Sequence, residues 1–256
     1  MKIAFCTHAS DDWYIPGGCR NLERSFKYFH PDIDFITFKN KELAPLLAAG
    51  WNWSTINAAI TSTIAKNYDL LVHMDADSLV VARLDEILAG NYWAAGVRNN
   101  NDKGLAGAMG SAVGLGKKGG ANMGVAPKDY WNAGLVASTD PSFWEVWKNR
   151  TKQEADQYPF YEQDTLNLVV RESKNCKLLD PIESNIFYGL ASHYPTPEDS
   201  SHWGSWKKIR MDGEKLILDN KQIKVLHQAG GSGLPKMDID RFFVGEVNSF
   251  LKRITK

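Results

Sequence analysis

The 256-residue chain lacks net charge: Lys plus Arg and Asp plus Glu both number 30. That balance argues against a surface built wholly for nucleic acid, while leaving a local basic pocket and peripheral membrane contact open. The chain also lacks any apolar run long enough to cross a bilayer. The opening MKIAFCTHASDD turns polar too soon for a signal-peptide core and reads as a first strand. Cysteine is sparse. Cys6, Cys19 and Cys176 are widely spaced, match no zinc pattern, and read as plain thiols of a reducing compartment, the cytoplasm. Internal repeats and biased linkers are missing too, so one domain over 1–256 is the simplest organisation.

What is present is an ordinary apolar fraction, 43%, enough for a sizeable core. Its pattern alternates. KIAFCT (2–7), DIDFITF (32–38), YDLLVHM (68–74) and YWAAGV (92–97) read as strands. Between them, 19–29 places Leu22, Phe26 and Phe29 at helical spacing. Ser54 is placed to cap a helix carrying Ile56, Ile60 and Ile64, and LDEIL (84–88) is a short helix. Such βα alternation favours an α/β fold with a mostly parallel central sheet flanked by helices. Later, WNAGLVAS (131–138) is a strand, and Pro141 opens a helix whose buried face is Phe143, Trp144 and Trp147. Residues 161–172 form another helix, Asp212-Gly213 turns a hairpin, IKVLHQAGG (223–231) is a strand, and 238–253 is a closing helix. The glycine-rich segment 104–124 reads as a lid or a disordered stretch.

The chemistry concentrates at LLVHMDADSLVV (70–81). In open α/β sheets, ligands bind beyond the carboxyl ends of the strands. Asp75 and Asp77 sit at such an end, and residues two apart face the same side. Two carboxylates there repel unless something positive lies between them. A divalent ion held with a nucleotide diphosphate meets that need, and hard oxygen ligands suit Mg²⁺ or Mn²⁺. His227, just past another apolar strand, is the candidate third ligand, and an imidazole favours Mn²⁺. Gly230, Gly231 and Gly233 would let backbone N–H groups approach phosphate oxygens, with Lys236 as a point charge. Against this stand blander readings: two solvated aspartates and a structural histidine. Nine tryptophans are many, and Trp51, Trp53, Trp203 and Trp206 fall in expected loops where their faces could stack on sugar rings, although packing is the commoner fate.

Five stretches, in order, resemble the glycosyltransferases of family eight. They are SDDWY (10–14), MDADSLV (74–80), WNAGLV (131–136), EQDTLN (162–167) and HQAGGSGLPK (227–236). The resemblance implies a GT-A fold, Rossmann-like, with a nucleotide-binding half at 1–100 and an acceptor-side half at 101–256. It implies transfer of a hexose from a nucleotide sugar, a UDP-sugar first, to a glycan or other small hydroxyl acceptor, with retention at the anomeric carbon. On that resemblance Asp75, Asp77 and His227 hold Mn²⁺ (or Mg²⁺). Thr7, Asp12, Tyr14, Ala76, Gly230 and Lys236 join the two aspartates in holding the nucleotide. Asn132, Gln163 and Asp164 lie at the reacting sugar, where an amide such as Gln163 would stabilise a developing cation rather than attack it.

The chain departs from the family in three places. The helix before the aspartates, STINAAITSTIAK, lacks the usual arginine and has only Lys66 at its far end; the closing motif is stretched, with Pro235 before Lys236 instead of after it and no tryptophan following; and the connection between MDADSLV and WNAGLV is rich in glycine. Rival readings are a sugar-nucleotide pyrophosphorylase, a phosphatase with aspartates on its first strand, and a non-catalytic glycan-binding module. The first needs a basic glycine-rich loop after the first strand, which IPGGCR (15–20) echoes only faintly. The second places its aspartates elsewhere, and the third leaves the acidic pair unexplained.

Overall fold

Six strands form the central sheet: β1 (Ile3–His8), β2 (Asp34–Phe38), β3 (Leu70–Met74), β5 (Ala94–Arg98), β6 (Trp131–Ser138) and β7 (Cys176–Leu179). Their order is β2-β1-β3-β6-β5-β7. β1 pairs parallel with β2 and β3, and β5 parallel with β7, while β6 runs against both of its neighbours. The sheet is therefore mostly parallel, with one reversed strand at its centre. The computed structural model describes residues 1–16, 18–98, 129–158, 160–173, 175–180, 186–187, 208–228 and 239–256. The glycine-rich segment 104–124, the loop tryptophans Trp203 and Trp206, Gly230, Gly231, Gly233 and Lys236 lie outside them.

Every residue of β6 is buried, as expected of a strand covered on both faces. On one face, helix α3 (Ile56–Ile64) and helix α5 (Pro141–Glu154) bring Ile56, Trp144 and Trp147 against Leu71 and Val136. On the other, α1 (Cys19–Phe29) lays Leu22 and Phe26 against Val72 and Leu135. The odd and even residues of β3 thus serve opposite layers, as strand geometry requires. Asp140 caps α5 by accepting from Ser142 N–H at 2.8 Å, with Pro141 in the first turn as its fixed φ favours.

A smaller sheet stands beside the first, in the order β4-β12-β8, formed by β4 (Ser78–Val80), β12 (Val225–His227) and β8 (Ile186–Phe187). The expected hairpin follows the Asp212-Gly213 turn, with β9 (Arg210–Asp212) paired to β10 (Lys215–Leu218) and Gly213 at φ +58°. Leu79, Leu216 and Leu226 from these strands pack with Phe250 and Leu251 of α8 (Gly245–Ile254).

The differences from the sequence reading are local. Thr55, not Ser54, precedes α3 and makes no side-chain cap; its hydroxyl instead accepts from Asn52 N–H. Helix α2 (Asn40–Ala48) forms despite Pro45. The closing helix is two pieces, α7 (Ile239–Phe242) and α8, with the Asn248 amide donating back to the carbonyls of Ile239 and Phe243.

His30 ties α1 to the strand layer. It is buried, and its Nε2 accepts from Leu84 N–H at 3.1 Å. Burial, with Arg83 nearby, lowers its pKa to about 4, and burial lowers His8 to about 4 and His73 to about 3. In each case the folded state binds fewer protons than the unfolded chain between the folded value and about 6.5, so stability rises with pH there. The denaturation midpoint should fall as pH drops from 6.5 to 4. In His30→Gln, whose amide oxygen still accepts from Leu84, the proton uptake on unfolding at pH 5 should be smaller by about one.

Candidate active site

β1, β2, β3 and β5 end at one rim of the central sheet, where the reversed β6 begins. Asp75 follows the last residue of β3, and its backbone N–H donates to the Gly134 carbonyl at 2.9 Å, extending the β3–β6 pairing. The chain then turns tightly. Ser78 N–H reaches back to the Asp75 carbonyl at 3.1 Å and Ala76 stands in the turn. β4 leaves from here and pairs antiparallel with β12, Ser78 opposite His227, and Gln228 N–H donates to the Asp77 carbonyl at 2.8 Å. That ladder fixes the imidazole beside the acidic pair. His227 Nε2 lies 3.1 Å from Asp77 Oδ1 and 3.5 Å from Asp75 Oδ2. The imidazole is buried, whereas the Asp75 and Asp77 side chains are 35% and 19% exposed. One atom from each residue falls within 4.8 Å of the others.

Two carboxylate oxygens and an imidazole nitrogen are a donor set that suits a borderline-hard divalent cation. The space beside them depends on Gly134. A Cβ there would lie 2.5 Å from His227 Cε1, 2.7 Å from Asn132 Oδ1 and 2.9 Å from Asp75 Oδ2, all closer than side chains tolerate. A glycine inside a strand often marks such a close approach. The residues therefore fit a metal centre, and Gly134 is a site residue that the sequence reading did not single out.

The start of β6 is held by α6 (Tyr161–Arg171). Gln163 Oε1 accepts from Asn132 Nδ2 at 3.0 Å and from Ala133 N–H at 3.1 Å, and its Nε2 donates to the Tyr130 hydroxyl at 3.3 Å. One turn on, Asn167 clamps both backbone groups of Trp131, accepting from its N–H at 2.6 Å and donating to its carbonyl at 2.9 Å. Asn132 Oδ1 in turn accepts from Gly134 N–H at 2.8 Å. A continuous chain of amide bonds thus runs from the helix to the glycine beside the carboxylates. Asn132 and Gln163, both expected at the sugar, are brought together. Asp164 stands behind them. It is fully buried, accepting from the Tyr130 hydroxyl at 2.6 Å and from Phe160 N–H at 2.8 Å, and burial raises its pKa. Its carboxylate faces protein, not the open rim.

The nucleoside candidates sit after β1. Thr7 is fully buried within the strand. Asp12 is exposed on a short turn, Asp11–Trp13. The Tyr14 hydroxyl donates to Glu23 at 2.7 Å, Lys39 Nζ stands 3.8 Å over the ring, and burial with the Glu23 bond raises the phenol to about 12. At the end of β1, His8 lies between the near-parallel rings of Trp53 and His73, at 6.2 and 6.0 Å, and Trp53 is 51% exposed. Across the rim, burial pushes the Glu162 carboxyl well above the usual carboxylate range, reinforced by the Asp75 charge, and Asn57 hydrogen-bonds to it.

No family model and no curated protein matches the chain in sequence. Solved structures do match in shape. WbbM, a bifunctional glycosyltransferase, superposes with a TM-score of 0.59 at 17% identity over 99% of this chain, which spans 51% of WbbM's length. LgtC, a galactosyltransferase solved with donor and acceptor sugar analogues, gives 0.52 at 15% identity over 99% of this chain and 96% of its own. GlyE, a glycosyltransferase of Streptococcus pneumoniae TIGR4, gives 0.56 at 11% identity, this chain spanning 60% of its length. The fold is the GT-A fold of these enzymes.

Gly134→Ala tests the geometry. The added methyl should displace His227 or Asp75, so Mn²⁺ binding, followed by electron paramagnetic resonance of the free ion, should weaken at least tenfold. The far-UV circular dichroism should stay that of the parent.

Proposed function

We propose that this chain transfers a hexose from a nucleotide sugar, a UDP-sugar first, to a hydroxyl of a glycan or other small acceptor, with retention and with a divalent cation, Mn²⁺ before Mg²⁺. The observation that carries this is the convergence of Asp75, Asp77 and His227 at the strand-end rim of a GT-A fold. Asp75, Asp77 and His227 would hold the cation. When bound, it supplies Lewis-acid stabilisation of the charge that builds on the departing diphosphate.

The chain's own residues supply the rest. Asn132 and Gln163 form a neutral amide wall on the sugar side, orienting hydroxyls without neutralising a developing cation. Asp164 acts through Tyr130 as a positioning residue: it holds the phenol that in turn receives Gln163 Nε2. Asp12, Tyr14, Ala76, Gly230 and Lys236 contact the nucleotide, Thr7 supports the strand beneath it, and the half-exposed Trp53 face over His8 offers a platform for the base.

A ligand that binds only the native state at one hundred times its Kd stabilises it by about 2.7 kcal/mol, on the order of 5–10 °C in Tm for a chain this size. UDP with Mn²⁺ should produce such a shift, and Asp77→Ala should abolish it. Slow Mn²⁺-dependent hydrolysis of a UDP-hexose should accompany the shift. Pyrophosphate exchange into the donor would instead indicate a nucleotidyltransferase, and no shift with any nucleotide and metal would remove the donor reading.

A further inference from the structure

We infer that the rim of the central sheet opposite the metal ligands carries a second, non-catalytic site for a neutral oligosaccharide. An open depression of about 550 Å³ lies there, within the range of small-ligand pockets. It is bounded by Asn91 and Trp93 before β5, Thr139 and Asp140 between β6 and α5, and Ser173 and Asn175 before β7. β6 begins at the proposed transfer site and ends here. Asn132 and Thr139 are seven residues apart, hence ~23 Å at the strand rise of about 3.3 Å per residue. One sugar ring cannot touch both.

The chemistry of the lining selects the ligand class. Trp93 supplies a flat apolar surface whose orientation is fixed twice: its Nε1 donates to Ser142 Oγ at 3.1 Å, and its ring meets Phe143 edge-on at 5.2 Å. Asn91 turns its amide oxygen to the Thr139 hydroxyl at 3.2 Å, and its amide N–H groups make no hydrogen bond among the described residues. The exposed side-chain amide of Asn175 makes no hydrogen bond among the described residues; only its backbone is engaged, accepting from Trp93 N–H at 3.1 Å. Amides that both donate and accept match vicinal hydroxyls, and an indole face matches the C–H face of a sugar ring. Asp140 is the only charged side chain among the described residues lining the depression. One of its oxygens already caps α5, and the charge of the carboxylate repels phosphate or uronate ligands. This placement does not depend on the donor or metal assignment, because none of its residues belongs to the other rim.

The test uses the full chain and a panel of neutral hexaoses (malto-, cello-, xylo- and chito-), with an oligogalacturonate as the anionic comparison. Binding is read by the Trp93 indole N–H resonance and by titration calorimetry, with and without UDP and Mn²⁺. One neutral hexaose should shift that resonance. The Asn91→Ala/Asn175→Ala variant, altered only at exposed side chains, should bind it at least tenfold more weakly while keeping the parent's Tm. Asp77→Ala should bind it as the parent does, and UDP with Mn²⁺ should not displace it. The inference is overturned if no neutral hexaose binds, if the double variant binds unchanged, if the oligogalacturonate binds more tightly, or if UDP with Mn²⁺ competes. Competition would place the sugar at the transfer site alone. Failure of the UDP thermal shift with hexaose binding intact would sink only the donor reading.

Discussion

Two carboxylates and one imidazole share a few ångströms of space at the sheet rim, and the surrounding architecture serves to keep them there. With one donor atom of each residue within 4.8 Å of the others, two ionised carboxylates repel wherever no positive charge lies between them. That repulsion is relieved if the turn opens or either side chain swings into water. Two ladders prevent this. The β3–β6 pairing, prolonged by Asp75 N–H to the Gly134 carbonyl, fixes the first carboxylate. The β4–β12 pairing fixes the second against His227. The two aspartates therefore stand at the junction of two sheets, in the arrangement that the proposed cation would use.

The reversed direction of β6 gives this junction its third wall. Because β6 runs against its neighbours, its first residues, not its last, reach the rim where the parallel strands end. Asn132 and Gly134 arrive there together, and α6 secures them through Gln163 and Asn167. A parallel strand would have delivered the Ser138 end instead. The same reversal carries the end of β6, with Thr139 and Asp140, to the far rim where Trp93 and Asn175 precede parallel strands, so one strand connects both regions of polar chemistry.

Much of this was legible in the sequence because it rests on local pattern. Apolar runs that stop at an acidic residue mark strand ends, although the two carboxylates converge through the tight turn at Ala76 and not through the strand alternation that the D-x-D spacing suggested. His227 was legible for the same reason. Other features were not, because the pattern does not encode them. Strand direction leaves no periodic trace, so the reversal of β6 is invisible in WNAGLVAS. In α6 the buried positions include Asp164, Thr165 and Asn167, so a hydrophobic period misplaces Asp164 at the surface when it is fully enclosed. α2 was obscured by Pro45, which argues against a helix interior yet sits in its second turn. Gly134 left a signal that could have been read: a glycine inside a wholly apolar strand implies that something approaches its backbone.

Charge is divided sharply across the rim, and this accounts for the helix that lacks an arginine. On the Asp75–Asp77 side the site is anionic. On the facing side α3 offers Asn57, buried and with its amide oxygen unpartnered among the described residues, hydrogen-bonded to a Glu162 carboxyl that desolvation and the Asp75 charge push above the usual carboxylate range. With Asn132 and Gln163, that wall is lined mainly by side-chain amides. On the proposed reading a guanidinium on that wall would oppose the positive charge that develops at the anomeric carbon. Neutral donors and acceptors in its place would leave the diphosphate charge to the proposed cation, and leave the sugar wall free to read hydroxyls. On the proposed reading, the missing arginine is thus a consequence of how the two walls share the work.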